Sequence, residues 1–318
     1  MGSHREDDGD VFAAAEIKRL AAGRRARAAA ESLYVEHRQN AHRAGRDAPE
    51  GQPITIEARV HLTAGKYPIR IINSVPPDLD VCIVTPGVLQ NPLREMAAEN
   101  GWSYLSTQHG QVSVAQNRAL AHHPSARLIY KIDEDIFISS GFFEAMDAGY
   151  AAVVEEGRYR PGFCSPLINV NGFSYVDFLR ARGLEEAYVA EFGELRRAAD
   201  GIKAHHDGQA AVWLWRNSLP VDDVAADFAK RPAGYSPVPH RFSIGAILFE
   251  RSLWEKMGGF RRGLKAPGLG VDEEHICESC VAFSRTMIVL DNVYAGHFAF
   301  GPQESAMREE FETRLSGF

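Results

Sequence analysis

Between Leu128 and Ile138 the chain reads Leu-Ile-Tyr-Lys-Ile-Asp-Glu-Asp-Ile-Phe-Ile. An apolar, β-branched run carries the consecutive carboxylates Asp133, Glu134 and Asp135 and then turns apolar again. A segment of this character belongs in a core, and a buried charge is costly unless something pairs with it. The run therefore constrains the fold twice. It demands a strand deep in a sheet, and it demands a cation or a transferable proton where that strand ends.

The surrounding pattern predicts the sheet. Leu79 to Gly87 reads as a buried strand closed by a turn, followed by a helix over Asn91–Glu99, a strand over Trp102–Ser106, a helix over Val112–His122 and the strand at Leu128. Strands alternating with helices at this pitch predict βαβ units, an α/β class and a mostly parallel central sheet flanked by helices, Rossmann-like in plan. Ligands of such sheets collect at the carboxyl ends of the strands. Thr85-Pro86 and Asp133 to Asp135 both fall there.

Upstream, Val11 to Ala44 lacks proline and reads as one or two helices, so residues 1–50 are expected to form an N-terminal helical extension. A linker over Asp47–Pro53 and strand-like patches at Ile54–Leu62 and Ile69–Ile72 follow. Residues 51–318 are expected to form a single domain. In its second half Phe163–Asn171 reads as a strand and Leu179–Lys203 as helical. Gly208–Pro239 reads as irregular. Phe242–Phe249 then reads as a strand, Ser252–Met257 as a helix stopped by Gly258-Gly259, and Met287–Leu290 as a strand.

Composition excludes several classes. A net charge of -7 argues against a nucleic-acid partner or an anionic membrane surface. A phosphate-bearing ligand must then be held by local groups or by a metal. No apolar run is long enough for an integral membrane segment. The 4 cysteines, at 82, 164, 277 and 280, are too few for a disulfide framework, which points to a reduced, cytoplasmic setting.

Asp133 and Asp135 lie two apart, so on a straight strand they share a face at a spacing of about 6.6 Å. A small dication holds oxygens at about 2.1 Å and completes its shell with substrate phosphates. One carboxylate gripping the ion while the other works through water or on the ligand fits that geometry. No phosphate-binding glycine loop is present. Asp272 and Glu273 open a predicted helix behind the loop Ala266–Gly270, where a carboxylate can act as a general base or simply favour the helix N-terminus. Trp213, Trp215 and Tyr235 offer aromatic faces for an acceptor or anchors for a loop. His275, Cys277 and Cys280 invite a zinc reading but lack a second ligand pair.

The run Ser113-Val114-Ala115-Gln116-Asn117-Arg118-Ala119-Leu120, followed by Leu128 to Asp135, resembles the nucleotide-sugar half of a GT-A-fold glycosyltransferase, most nearly family 2. Ser243 to Phe260, with its Gly258-Gly259-Phe260 turn, is similar to that family's acceptor-side strand and helix. Asp272-Glu273 and His297 follow in the expected order. The resemblance implies a nucleotide-sugar half over about 79–160 and an acceptor half over about 161–300. It implies donor contacts from Thr85, Pro86, Asn117, Arg118, Asp133 and Gly245, and a Mn²⁺ or Mg²⁺ ion held by Asp133, Asp135 and His297. It further implies Asp272 or Glu273 as base, Trp213 and Trp215 as acceptor contacts, and an inverting transfer from a nucleotide-diphosphate sugar to an acceptor hydroxyl. Gln116 departs from the arginine, and Ala119 from the glycine, usual in that helix. A nucleotidyltransferase on a similar sheet and a non-catalytic nucleotide-sugar binder are the alternatives. The pattern fixes neither the donor base, the acceptor nor an oligomeric state.

Overall fold

The computed structural model describes residues 54–59, 75–76, 78–108, 110–199, 201–263, 270–298 and 303–313. The predicted extension over residues 1–50, the linker, the patch at Ile69–Ile72 and the loop residues 264–269 lie outside them.

Among the described residues nine strands make the frame: β1 (Ile54–Arg59), β2 (Asp80–Pro86), β3 (Ser103–Thr107), β4 (Leu128–Ile132), β5 (Ile136–Phe137), β6 (Pro161–Ile168), β7 (Tyr235–Val238), β8 (Ala246–Glu250) and β9 (Thr286–His297). Their order is β3-β2-β1-β4-β8-β6-β9-β5, with β7 on the far side of β9. Pairing is parallel through β3-β2-β1-β4 and between β6 and β9. It is antiparallel for β4 with β8, β8 with β6, and β9 with β5 and β7. The expected mostly parallel sheet is therefore corrected to a mixed one. Hydrophobic pattern reports that a strand is buried and says nothing of its direction.

The reversed strand β8 positions everything that follows. Both β4 and β6 run antiparallel to it, so they run parallel to each other, and β9 is parallel to β6. The carboxyl ends of β4, β6 and β9 thus lie at one edge, beside the amino end of β8, where Ile132 pairs with Ala246.

Side chains alternate across these strands. Ile129, Phe163, Ile247, Phe249, Met287 and Val289 enter one core, and Tyr130, Ile132, Cys164, Leu248, Ile288 and Leu290 enter the other. Helices α1 (Asn91–Glu99) and α3 (Phe142–Glu156) pack on the second face through Leu93 and Ala97 and through Phe142, Phe143, Met146, Tyr150 and Val153. Between them in sequence, α2 (Val112–His122) sends Leu120 to the first face. Each fully buried side chain of this size contributes about 1.5–3 kcal/mol. Contact between α3 and the sheet is close: a Cβ on Gly149 would lie 2.5 Å from Leu290 Cδ1.

The remaining helices crowd the first face: α4 (Tyr175–Arg182), α5 (Glu185–Phe192), α6 (Lys203–His206), α7 (Gly208–Arg216), α8 (Val221–Ala229), α9 (Arg251–Lys256), α10 (Val271–Ala282) and α11 (Glu304–Thr313). Two expectations fail here. The helical reading of Leu179–Lys203 covers parts of three short helices, the first stopped by Gly183 in a left-handed conformation at φ 68. The irregular reading of Gly208–Pro239 hides α7, α8 and β7. Its polar and proline residues start elements instead of breaking them. Asp207 caps α7 by accepting from Gln209 N and Ala210 N, Pro220 precedes α8, and Pro237 sits in β7, which pairs only with β9 among the described residues.

Candidate active site

At the carboxyl edge the chain leaves β4 into Asp133-Glu134-Asp135 and returns as β5, which pairs Ile136 with His297 at the end of β9. That pairing brings together residues 162 apart in sequence: His297 Nε2 stands 2.9 Å from Asp135 Oδ2. Both side chains are nearly buried, at 17% and 10% exposure. The other ring nitrogen, Nδ1, donates to Val170 O at 2.8 Å. With Nδ1–H spent on a carbonyl, Nε2 must present either a proton or a lone pair to the carboxylate. A lone pair is tolerable only with a cation between the two groups.

In the metal-free chain the proton fills that place. Burial disfavours the imidazolium, but the Asp135 charge and hydrogen bond outweigh it and push His297 up to about 9. Burial likewise raises the Asp135 carboxyl, yet the His297 charge and hydrogen bond hold it below the ordinary carboxylate range. Two ligands at right angles, each about 2.1 Å from a small dication, are about 3.0 Å apart. The 2.9 Å separation therefore fits a shared cation. The Nδ1 bond to Val170 is the outer support that metal-ligating histidines ordinarily have.

Asp133 does not join them. Lys131, two residues back on the same face of β4 and 2% exposed, places Nζ 2.6 Å from Asp133 Oδ2 and donates to Ile244 O at 2.9 Å. Among the described residues no group of three His, Cys, Asp or Glu side chains is arranged to hold a metal. The expected Asp133-Asp135-His297 set is thus present as a pair, with the third carboxylate turned to a lysine. Gly245 completes the edge. Its carbonyl accepts from Asp133 N at 2.8 Å, and a Cβ there would lie 2.8 Å from Ile136 Cδ1 and 4.0 Å from His297 Nε2.

The amino end of α10 meets this edge from the side. Glu273 accepts Ile244 N on Oε1 at 3.0 Å and Gly270 N on Oε2 at 2.7 Å, so the third residue of α10 reaches back to the backbone N–H at the start of its own helix. Burial and the adjacent Asp272 push its carboxyl above the ordinary range, against the pull of Lys131 and the two backbone donors. Asp272 is 5% exposed and accepts from Gln116 Nε2 at 3.0 Å. Gln116, where the resemblance expects arginine, is therefore the α2 residue that reaches the acid pair.

Asn117 acts as a clip. Its Oδ1 accepts from Trp254 Nε1 at 2.9 Å and Phe260 N at 2.8 Å, while Nδ2 donates to Phe260 O at 2.8 Å. It thereby fastens the Gly258-Gly259-Phe260 turn, whose Gly259 has φ 80 and leaves only 2.9 Å between a built Cβ and Asn117 Oδ1. Beside it opens a cleft of about 640 Å³ walled by Asn117, Trp254, Gly259, Phe260 and His275. Thr85 is buried at the end of β2, with its hydroxyl 2.6 Å from Tyr104 Oη, and Pro86 closes the strand. Arg118 lies half-buried on α2.

Trp215 is wholly buried and donates from Nε1 to His297 O at 2.8 Å. It has no face left for an acceptor, so that expectation is corrected: it is a support under His297. Trp213 packs edge-on against Tyr188 and Phe192. The zinc reading also lapses. Cys277 and Cys280 are buried, Cys277 Sγ donates to Phe242 O, and among the described residues no third and fourth ligand gathers beside them.

No family model matches the sequence, and no curated protein matches it by sequence comparison. A solved structure of GalNAc-T7 with UDP, GalNAc and Mn²⁺ is similar to it at 12% identity and a TM-score of 0.46. The alignment takes in 83% of this chain, which spans about half, 48%, of that one. At that identity and TM-score the likeness says nothing of this chain's ligands.

Proposed function

We propose that the chain is a GT-A-type glycosyltransferase that moves a sugar from a nucleotide-diphosphate donor to an acceptor hydroxyl. The contact between Asp135 and His297 carries this reading. A carboxylate oxygen and an imidazole nitrogen face each other at the carboxyl edge of the sheet, at the spacing of two ligands on one cation. A divalent cation held there would neutralise charge gathering on a departing diphosphate. The imidazole in the set favours Mn²⁺ over Mg²⁺.

The chain's own groups supply the rest. Asp133, fixed by Lys131, contacts donor ribose or a cation-bound water. Gly245 keeps the space beside His297 free of a side chain. Glu273 takes the acceptor proton, since a carboxyl raised above its ordinary range is better matched to proton transfer near neutral pH. Asp272, tied to Gln116, sits next to it and raises it. A carboxylate that accepts a proton and forms no bond to sugar gives inversion.

The test is thermal stabilisation of the full chain by a panel of nucleoside diphosphates, with and without Mn²⁺. A selective shift that requires Mn²⁺ and disappears in Asp135→Ala is expected. No shift with any member of the panel, or an equal one in chelator, overturns the metal-assisted donor site.

A further inference from the structure

His297 is held at its main chain as well as its ring. Its N–H donates to Asn169 Oδ1 at 2.8 Å, and its carbonyl accepts from Trp215 Nε1 at 2.8 Å. The first of these bonds is unusual for a strand end. The β6–β9 ladder closes at the pair Ile168 and Ala295, yet β9 runs on to His297. Beyond Ile168 the β6 backbone no longer serves that edge, and a side-chain carbonyl takes over the acceptor's place.

Asn169 is 0% exposed. Its Oδ1 also accepts from Val170 N at 2.9 Å, and its Nδ2 donates to Ser218 Oγ at 2.9 Å. Ser218 in turn donates to Leu214 O at 2.7 Å. One amide therefore gathers the end of β6, the end of β9 and the α7 turn. It also orients Val170, whose carbonyl fixes the His297 ring through Nδ1. A buried amide is costly unless it is fully bonded. A core that needed only cohesion would be served by an apolar side chain here.

We propose that Asn169 is a positioning residue for His297, holding the histidine's backbone and, through Val170, its ring in the attitude that lets Nε2 and Asp135 Oδ2 share a divalent cation. The inference rests on the metal reading of the site. It adds an outer support 128 residues from the histidine in sequence.

The probe is Mn²⁺ alone, titrated into the full chain and read from the free-ion electron paramagnetic resonance signal, so turnover is not involved. Loss of an outer support ordinarily costs about 10–100-fold in metal affinity. Asn169→Ala is expected to weaken Mn²⁺ binding within that range. Asn169→Asp, which keeps an acceptor for both N–H groups, is expected to recover most of it. Ser218→Ala, remote from the ring, guards against misfolding of the first variant and is expected to weaken binding by several-fold. A histidine ring ¹⁵N spectrum of the chain without Mn²⁺ adds a readout that cohesion alone would not move: the hydrogen bond from His297 Nδ1–H to Val170 O is expected to be lost in Asn169→Ala and kept in Asn169→Asp. If the parent chain binds Mn²⁺ and all three variants bind it equally, the positioning role is wrong and the metal site stands. If the parent chain binds none, both fall.

Discussion

Replacing Asp135 by asparagine removes the charge that faces His297 and changes little else in shape. The size of the effect follows from the pair itself. The ring stands at about 9 in the folded chain, against an ordinary value of about 6.5. At about 1.4 kcal/mol per pH unit, that rise corresponds to about 3 kcal/mol of stability in the metal-free protein. Little of it is lost to solvent screening, because the two side chains are only 17% and 10% exposed.

The sign is fixed by the direction of each shift. A histidine raised on folding contributes stability that is fully present below about pH 6.5 and is lost as pH rises through about 9. Asp135, lowered on folding, contributes stability that is present above about pH 3.8 and lost as pH falls through its folded value. These are two views of one contact, not two contributions. The assay is urea denaturation in chelator from pH 6 to pH 9.5, for the parent chain and Asp135→Asn. The parent is expected to lose about 3 kcal/mol relative to the variant across that window. The thiols of Cys164, Cys277 and Cys280, pushed up to about 12 by burial, add a shared alkaline slope that cancels in the difference. Parallel curves would refute the coupling.

Two further outcomes follow from the same edge. Lys131→Met leaves the partly buried Asp133 without its lysine and is expected to cost about 1.5–3 kcal/mol by chemical denaturation; a cost under about 1 kcal/mol would show that Asp133 relaxes into solvent. Glu273→Gln removes the proton acceptor and one of the two backbone acceptors, so turnover is expected to fall by about 10²–10⁴-fold with a stability loss of about 1 kcal/mol, whereas Asp272→Asn, which keeps an acceptor for Gln116, is expected to lose less turnover. The reverse ranking would move the base to Asp272.

The elements nearest the acids were legible because local pattern sets them. The helix at Val112–His122 and the strand at Leu128–Ile132 were readable to the residue from periodicity. The course of β8 was not, because strand direction leaves no mark on hydrophobic alternation. Its reversal makes the sheet mixed and sets the ends of β4, β6 and β9 at one edge. Asp135 and His297 were readable as chemically apt residues, and the structure brings them into contact. The hold on Asp133 was not readable, because the side chain that fixes it, Lys131, looks from sequence like one more strand residue. Asn169 carried no signal, and Trp215 read as an acceptor face or a loop anchor: each acts on His297 through a backbone atom, and only the pairing of β6 with β9 and the placing of α7 reveal it.

The measurement that bears most directly on the central claim is the identity of the product released from nucleotide-diphosphate sugars incubated with the full chain and Mn²⁺. Release of a nucleoside diphosphate is predicted, abolished by chelator, restored by Mn²⁺ and absent in Asp135→Ala. Release of a sugar phosphate instead, or full turnover in chelator, would contradict a glycosyl transfer assisted by a cation on Asp135 and His297.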